Sequence, residues 1–290
     1  MKIGAVIVTY NPEVEILKNT IKFLEEKEIF TVIVDNDSKN ISEFFSLKKV
    51  SLIQEESNVG IAKALNDGVK FLLKNTQCDW VLTLDQDSIM SSDYFDEIPL
   101  LNPTTNIAVY VPFVIERNVP ENIQKKMKEK DAQSREGKFN QMPIQSGAII
   151  RIKDYVDVGG MDESLFIDGV DLDFYLEITR QKKKIVQLSK AVLYQSMGEK
   201  EEKNFLSFKY YVDNYSPMRN YYRFRNIPII IKRHKDVISL TSLEPTFLKY
   251  IWRKLLKTIL GENNKIKKIH QMFRGYRDRK KLNIIRKRYM

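Results

Sequence analysis

The residues best suited to chemistry in this 290-residue chain are two carboxylates, Asp85 and Asp87, in the stretch Val81-Leu82-Thr83-Leu84-Asp85-Gln86-Asp87-Ser88. An apolar, β-branched run from Trp80 to Leu84 ends abruptly in them, the pattern of a buried strand reaching the rim of a sheet. In open α/β folds the carboxyl edge of the strands is where ligands are held. Two hard oxygen ligands there suit Mg2+ or Mn2+, and such an ion suits a substrate with phosphates. Taken alone, an acidic doublet of this kind is usually a solvated loop end. The elements around it have to decide.

Three other segments share the form of that strand: Ile3 to Thr9, Phe30 to Val34 and Val50 to Gln54, alongside Asp79 to Leu84. All four end in polar residues, at Thr9-Tyr10-Asn11, Asp35-Asn36, Gln54-Glu55 and Asp85-Gln86-Asp87. Between the first two, Val14, Leu17, Ile21 and Leu24 recur at helical spacing, so 13–27 reads as an amphipathic helix opened by Pro12. A second helix opens in Asn58-Val59-Gly60-Ile61-Ala62-Lys63-Ala64-Leu65-Asn66-Asp67-Gly68 and runs through Leu73. This order predicts a parallel sheet with right-handed crossovers, its polar strand ends along one rim. Neither a Gly-x-Gly-x-x-Gly after the first strand nor a Gly-x-x-x-x-Gly-Lys-Ser/Thr is present. A nucleotide bound here is therefore held by side chains and a metal, not by a glycine-rich phosphate loop.

Further on, Ile107 to Ile115 reads as a strand, with Pro112 marking an edge or a bulge. The polar, lysine-rich 118–140 reads as a surface loop or lid. The span 142–152 reads as a strand whose Gln145-Ser146-Gly147-Ala148 patch lets something approach closely. In Phe166-Ile167-Asp168-Gly169-Val170-Asp171-Leu172-Asp173, Asp168 is expected to cap a helix running to about Gln181, with Asp171 in its first turn. Asp168 and Asp171 share a face of that helix, and Asp173 points roughly 160° away from Asp171. Two short strands, 185–188 and 191–194, precede an aromatic, arginine-rich helical stretch, Ser216 to Asn226.

Residues 232–290 hold 18 Lys and Arg against four Asp and Glu, so the remaining chain is mildly acidic although the whole carries +10. A basic tail on an acidic body points to an anionic partner. In the tail, Phe247, Leu248, Ile251, Trp252, Leu255, Leu256 and Ile259 fall on one half of a helix, and Lys249, Arg253, Lys254 and Lys257 on the other. That is the pattern of an interfacial helix; the alternative is a helix packed on the body with a solvated basic face. The tail has no nucleic-acid recognition motif, which disfavours a nucleic-acid-binding protein, and no nucleic acid is expected. No run of 18 uncharged apolar residues predicts a transmembrane helix, the N-terminal apolar run is too short for a signal peptide, and the single Cys78 rules out an internal disulfide. A cytoplasmic setting is expected.

With these pieces in order, the sequence resembles a family 2 glycosyltransferase with the nucleotide-sugar-binding α/β fold called GT-A. The resemblance rests on Val8-Thr9-Tyr10-Asn11, Val34-Asp35-Asn36-Asp37-Ser38, the Asn58 to Gly68 segment, Leu84-Asp85-Gln86-Asp87 and Phe166-Ile167-Asp168-Gly169-Val170-Asp171, and covers roughly residues 1–226. The Asp-Gln-Asp and Phe-Ile-Asp-x-Val-Asp forms look most like the bacterial rhamnosyltransferase branch. It implies a mostly parallel central sheet flanked by helices. The expected organisation is a catalytic domain, 1–226, with a nucleotide-sugar half (1–100) and an acceptor half (101–226), then a basic amphipathic helical tail, 227–290.

The resemblance implies a metal-dependent, inverting transfer from a nucleotide-sugar donor, dTDP-L-rhamnose or a UDP-sugar such as UDP-galactofuranose, UDP-glucose or a UDP-N-acetylhexosamine. The expected acceptor is a lipid-linked saccharide of an O-antigen, capsule or related polysaccharide, on an anionic membrane surface met by residues 232–290, at the inner face of the cell membrane. By resemblance Asp87 ligates Mg2+ or Mn2+ directly, and Asp85 through water or by contact with the ribose. Thr9, Tyr10, Asn11, Asp35, Lys63, Asp85 and Gln86 would face the nucleotide, and Ser146, Gly147 and Asp168 the sugars. Arg219 and Arg223 would face the diphosphate, and Asp171 would be the base. Two departures stand out: Glu177 occupies a place where the family often has Arg, and Gln195 one where it commonly has a metal-ligating His. Gln195 is then the expected third protein ligand, through its amide oxygen.

Overall fold

The computed structural model describes residues 2–47, 49–97, 105–117, 143–196, 201–205, 208–212, 214–238 and 244–290. The expected lid, 118–140, lies outside them, as does 197–198 beyond Gln195.

Strands β1 (Ile3–Thr9), β2 (Phe30–Asp35), β3 (Val50–Gln54) and β4 (Trp80–Asp85) pair in parallel in the order β3-β2-β1-β4. Their ends are level: Thr9 stands beside Asp35, Asp35 beside Gln54 and Val8 beside Asp85. The polar strand ends therefore do form one rim. Helices α1 (Val14–Glu26) and α2 (Gly60–Asn75) cover opposite faces, each burying its apolar stripe. Gly68 lets α2 sit close on β1, since a Cβ there would lie 2.4 Å from Val6 Cγ1.

The sheet continues as β4-β7-β6-β8-β5, with β5 (Ile89–Met90), β6 (Ile107–Glu116), β7 (Ala148–Arg151) and β8 (Lys184–Gln195). β7 runs antiparallel to both neighbours, which turns the expected sheet into a mixed one. Pro112 marks a bulge and not an edge: β6 is an interior strand whose register with β8 shifts between Val111 and Phe113. The two short strands expected near 185 and 191 are one strand, β8. The strand expected to run through Ile152 stops at Arg151, where a short helix, α3 (Ile152–Asp157), begins.

Helix α4 (Val170–Arg180) packs on the sheet face shared with α2. Asp168 does not cap it. Gly169 at φ +95° precedes the helix without a side-chain cap, and the Asp168 carboxylate turns to two arginines instead. A hairpin, β9 (Glu201–Phe205) and β10 (Phe208–Val212), leads to α5 (Pro217–Arg233), α6 (Lys235–Ile238), α7 (Glu244–Gly261) and α8 (Lys265–Asp278).

The 226/227 division expected between body and tail falls inside α5. α8 lies so close on α5 that a Cβ on Gly275 would meet Tyr221 O at 2.1 Å. Beyond α8 the chain returns to the sheet-bearing body. Tyr289 N–H bonds Gly159 O at 2.9 Å, and Gly159 and Gly160, both at positive φ, would strike Arg288 and Met290 if they carried a Cβ. In α7 the basic face expected in solvent is partly inward. Lys254 is buried against Glu262, which also accepts from Lys268 at 2.8 Å, because Glu262 in the α7–α8 turn offers a carboxylate to both.

Candidate active site

Asp85, the last residue of β4, is clamped. Gln145 Nε2 donates to its Oδ1 at 2.5 Å and Gln195 Nε2 to its Oδ2 at 2.6 Å, while its own N–H donates to Ser146 Oγ at 2.9 Å. Ser146 is fully buried and shares a 2.6 Å bond with Ser88 Oγ, so the loop after β4 and the segment before β7 are fastened together. Gly147, at φ +79°, takes a turn that a Cβ would block against Pro112 and the Tyr94 hydroxyl. Burial, then the charge of Asp87, pushes the Asp85 carboxyl up to about 6, against the two amide bonds that favour its ionised form. Burial likewise raises Asp87, opposed by its own and the Ser196 N–H groups and by Arg117. The charge of Asp171 also reaches Asp85, so the doublet at the end of β4 and the carboxylate at the start of α4 share one electrostatic neighbourhood.

Along the rim the expected nucleotide residues divide into two groups. Thr9 and Asp35 are fully buried and bonded to each other at 2.7 Å. Asp35 also accepts from Ser38 N–H at 2.8 Å and Ser38 Oγ at 2.5 Å. Both are thus engaged within the fold, and the Asp35 carboxylate closes the turn after β2 by accepting from Ser38, three residues on. Tyr10 is half exposed, and Gln86 holds its backbone from both sides, accepting from the N–H at 2.6 Å and donating to the carbonyl at 3.2 Å. The Tyr10 ring is thus placed on a fixed backbone with an open face. Asn11 links the β1 and β2 ends, its N–H on Ser38 Oγ and its Oδ1 under Lys39 N–H. Lys63 is engaged by Asp67 and, at 3.7 Å, by Glu55.

Asp171 sits in the first turn of α4 and accepts from Leu172 N–H at 2.8 Å. Burial and the charge of Asp168 raise its pKa, with backbone N–H groups and Arg223 opposing. Asp168 accepts from Arg219 at 2.8 and 3.1 Å and from Arg223 at 3.0 Å, and these cations hold its carboxyl below the ordinary range despite burial. Both guanidinium groups lie over the Tyr215 ring, at 4.6 and 3.8 Å. The expected diphosphate arginines are therefore tied to Asp168, although Arg219 keeps 35% of its side chain exposed.

A family model, Glycosyl transferase family 2, matches residues 5–157, just over half of the chain. The chain belongs to glycosyltransferase family 2. The dTDP-rhamnosyl transferase RfbF of Shigella flexneri is 29% identical over 255 residues, 84% of this chain and 85% of that one. Among solved structures, S. aureus TarS 1-349 superposes with a TM-score of 0.59 at 16% identity, over 96% of this chain and 82% of that one. GalNAc-T7, solved with UDP, GalNAc and Mn2+, gives 0.55 at 12% identity, over 87% of this chain and 54% of that one. These likenesses show the GT-A fold.

In this glycosyltransferase the residues beside Asp85 fit a hard divalent cation. Gln195 Oε1 and Gln145 Oε1 are buried without a hydrogen-bond partner, unusual for amide oxygens and suited to a cation. Among the described residues no group of three or more His, Cys, Asp or Glu could hold a metal, so Asp85 and Asp87 would need an amide oxygen to complete the set. Gln145 and Ser88 are given no role by type or spacing, although Gln145 opens the Gln145–Ala148 patch. Asn226, whose Nδ2 donates to the carbonyls of Leu165, Ile167 and Asp168 at 2.8–2.9 Å, holds the loop before α4 and has no local signature at all.

Proposed function

We propose that this glycosyltransferase moves L-rhamnose from dTDP-L-rhamnose, with inversion, to a hydroxyl of a lipid-linked saccharide during synthesis of a bacterial cell-surface polysaccharide. The observation that carries the reading is the pairing of the Asp85–Asp87 doublet with Asp171, whose charge reaches Asp85 and raises it. One end suits a nucleoside diphosphate with its cation, the other an acceptor hydroxyl. The RfbF relative supports the choice of donor.

In the reaction, Asp171 takes the acceptor hydroxyl proton as that oxygen attacks the anomeric carbon, and the bond to the nucleoside diphosphate breaks on the opposite face. A β-configured donor yields an α-linked product. Raised basicity suits Asp171 to this task, since a carboxylate with a higher pKa is a better proton acceptor. Asp85, Asp87 and Gln195 Oε1 would hold Mg2+ or Mn2+, which would supply charge neutralisation for the departing diphosphate. Tyr10 offers its ring to the base, Ser146 and Gly147 shape the donor side, and the exposed part of Arg219 faces the diphosphate. The basic helical tail supports an acceptor presented at a membrane.

The test is a panel of dTDP-L-rhamnose, UDP-galactofuranose, UDP-glucose and UDP-N-acetylglucosamine, scored for Mg2+- or Mn2+-dependent hydrolysis and thermal stabilisation. Stabilisation by dTDP-L-rhamnose above the others, lost in Asp87→Ala, is expected. A UDP-sugar preference overturns the donor, and stabilisation that ignores the metal overturns the metal site.

A further inference from the structure

Helices α7 and α8 form a hairpin about residues 262–264, and each buries one row of side chains. On α8 the inward row is Lys268, Met272, Gly275 and Asp278, packed on α5. On α7 it is Lys254 and Thr258, with Lys254 over the Tyr215 ring at 4.9 Å. At about 100° per residue the opposite rows follow. α8 turns Ile266 and Phe273 outward, 86% and 65% exposed. α7 turns out Trp252, Leu256, Ile259 and Leu260, all between 45% and 65% exposed. Exposed cations interleave with them: Lys249 and Arg253 on α7, Lys267, Arg274 and Arg277 on α8. From Lys249 to Arg277 the chain has one acidic residue, Glu262, and it is buried between Lys254 and Lys268. The outward side of the hairpin is apolar and cationic, with no acid.

We propose that this side docks the protein on the surface of an anionic lipid bilayer, with Trp252, Leu256, Ile266 and Phe273 entering the headgroup–acyl boundary and the interleaved cations meeting lipid phosphates. Charge complementarity selects this occupant. A second copy of the same face would set cation against cation, and a nucleic acid would leave the aliphatic row in water. Among the described residues no helix is long and apolar enough to cross a membrane, so the hairpin lies along the surface. The inward turn of Lys254 means that the cations available to headgroups are those on the rim of the apolar rows. The surface is distinct from the Asp85–Asp171 site, so its failure removes the tail's support for a membrane-borne acceptor but leaves the donor and base reading standing, and failure of that reading leaves the docking surface standing.

The full chain is mixed with phosphatidylcholine vesicles with or without about 30% phosphatidylglycerol and sedimented. The two tryptophans make the contact readable, since Trp80 is fully buried and Trp252 is 65% exposed. Binding to the anionic vesicles, weakening at about 0.5 M salt as the charges are screened, is expected. So are a blue shift of emission and quenching by brominated acyl chains. Trp252→Ser with Phe273→Ser should lower partitioning about tenfold, as apolar contact is lost, without moving the unfolding temperature, because both residues are exposed. Leu256→Glu, which keeps the tryptophan, should abolish the blue shift. Equal binding to neutral vesicles, no quenching, or variants that bind normally would overturn the proposal. A blue shift that grows with protein concentration without lipid would assign the face to a second copy, and salt-sensitive oligonucleotide binding without vesicle binding would assign it to nucleic acid.

Discussion

Asp171 and Asp173 are two residues apart on α4 and live in opposite surroundings. Asp171 accepts a hydrogen bond from the Leu172 N–H and has a like charge, Asp168, nearby; burial and that charge raise it. Asp173 is fully buried yet lowered, because His234 Nε2 at 2.8 Å, Arg286 Nε at 2.7 Å and Arg233 Nη1 at 2.7 Å all converge on it. Helical geometry makes this possible, since residues i and i+2 point to opposite sides. The difference teaches a division of labour. The carboxylate suited to accept a proton is kept short of cations, and the one that anchors the helix is surrounded by them. Through Asp173 the returning C-terminal segment holds the helix that presents Asp171, which is why the tail is not a detachable appendage.

The widest gap between the two sides is in turnover. Asp171→Asn is expected to lower turnover by about 10³-fold while nucleotide binding, followed by calorimetry, stays unchanged. Near-normal turnover would place the base elsewhere. The two asparagine variants should also move stability in opposite directions. Asp173→Asn leaves buried Arg233 and Arg286 short of their counter-charge and should cost about 3–5 kcal/mol. Asp171→Asn removes a carboxylate whose ionisation is disfavoured in the fold, so the unfolding temperature at neutral pH should rise or hold. The pH dependence carries the same sign. Asp173 is lowered in the fold, so its contribution is full above the ordinary Asp value of about 3.9 and is lost as pH falls below it. The stability difference between wild type and Asp173→Asn should therefore shrink as the pH of a denaturant titration is lowered from 7 to about 3. A constant difference would mean that Asp173 contributes through packing and not through charge.

The side of the fold that carries the polar rim was legible because buried parallel strands are unbroken apolar runs and their ends are abruptly polar. Ile3–Thr9 and Val50–Gln54 fall where the pattern places them, and their level register brings Thr9, Asp35 and Asp85 to one rim. What the pattern misses are partners far apart in the chain. Asp168 has the look of a cap, but Arg219 and Arg223, some 50 residues on, outcompete a single N–H. Lys254 belongs to a basic stripe by periodicity, yet a carboxylate eight residues later draws it inward. Gln145 reaches Asp85 across 60 residues, and Arg286 reaches Asp173 across 113. Apolar spacing records which face is buried; it holds no record of which ion or amide waits there.

The smallest change sharpens the contrast most. Tyr289 OH donates to Asp162 Oδ1 at 3.1 Å, at the rim of the same cluster, and Asp162 also accepts from Arg233 Nη1 at 2.7 Å. Tyr289→Phe removes one hydrogen bond from a carboxylate that keeps Arg233 and the Ser164 N–H, so no buried charge is orphaned. The expected loss is about 0.5–1.5 kcal/mol, read from chemical denaturation. Turnover at a temperature where the variant is fully folded should match wild type, because Asp173 keeps Arg233, Arg286 and His234 and α4 its position. If turnover falls while stability hardly moves, the two sides of α4 are not separable, and the cluster around Asp173 tunes Asp171 as well as anchoring its helix.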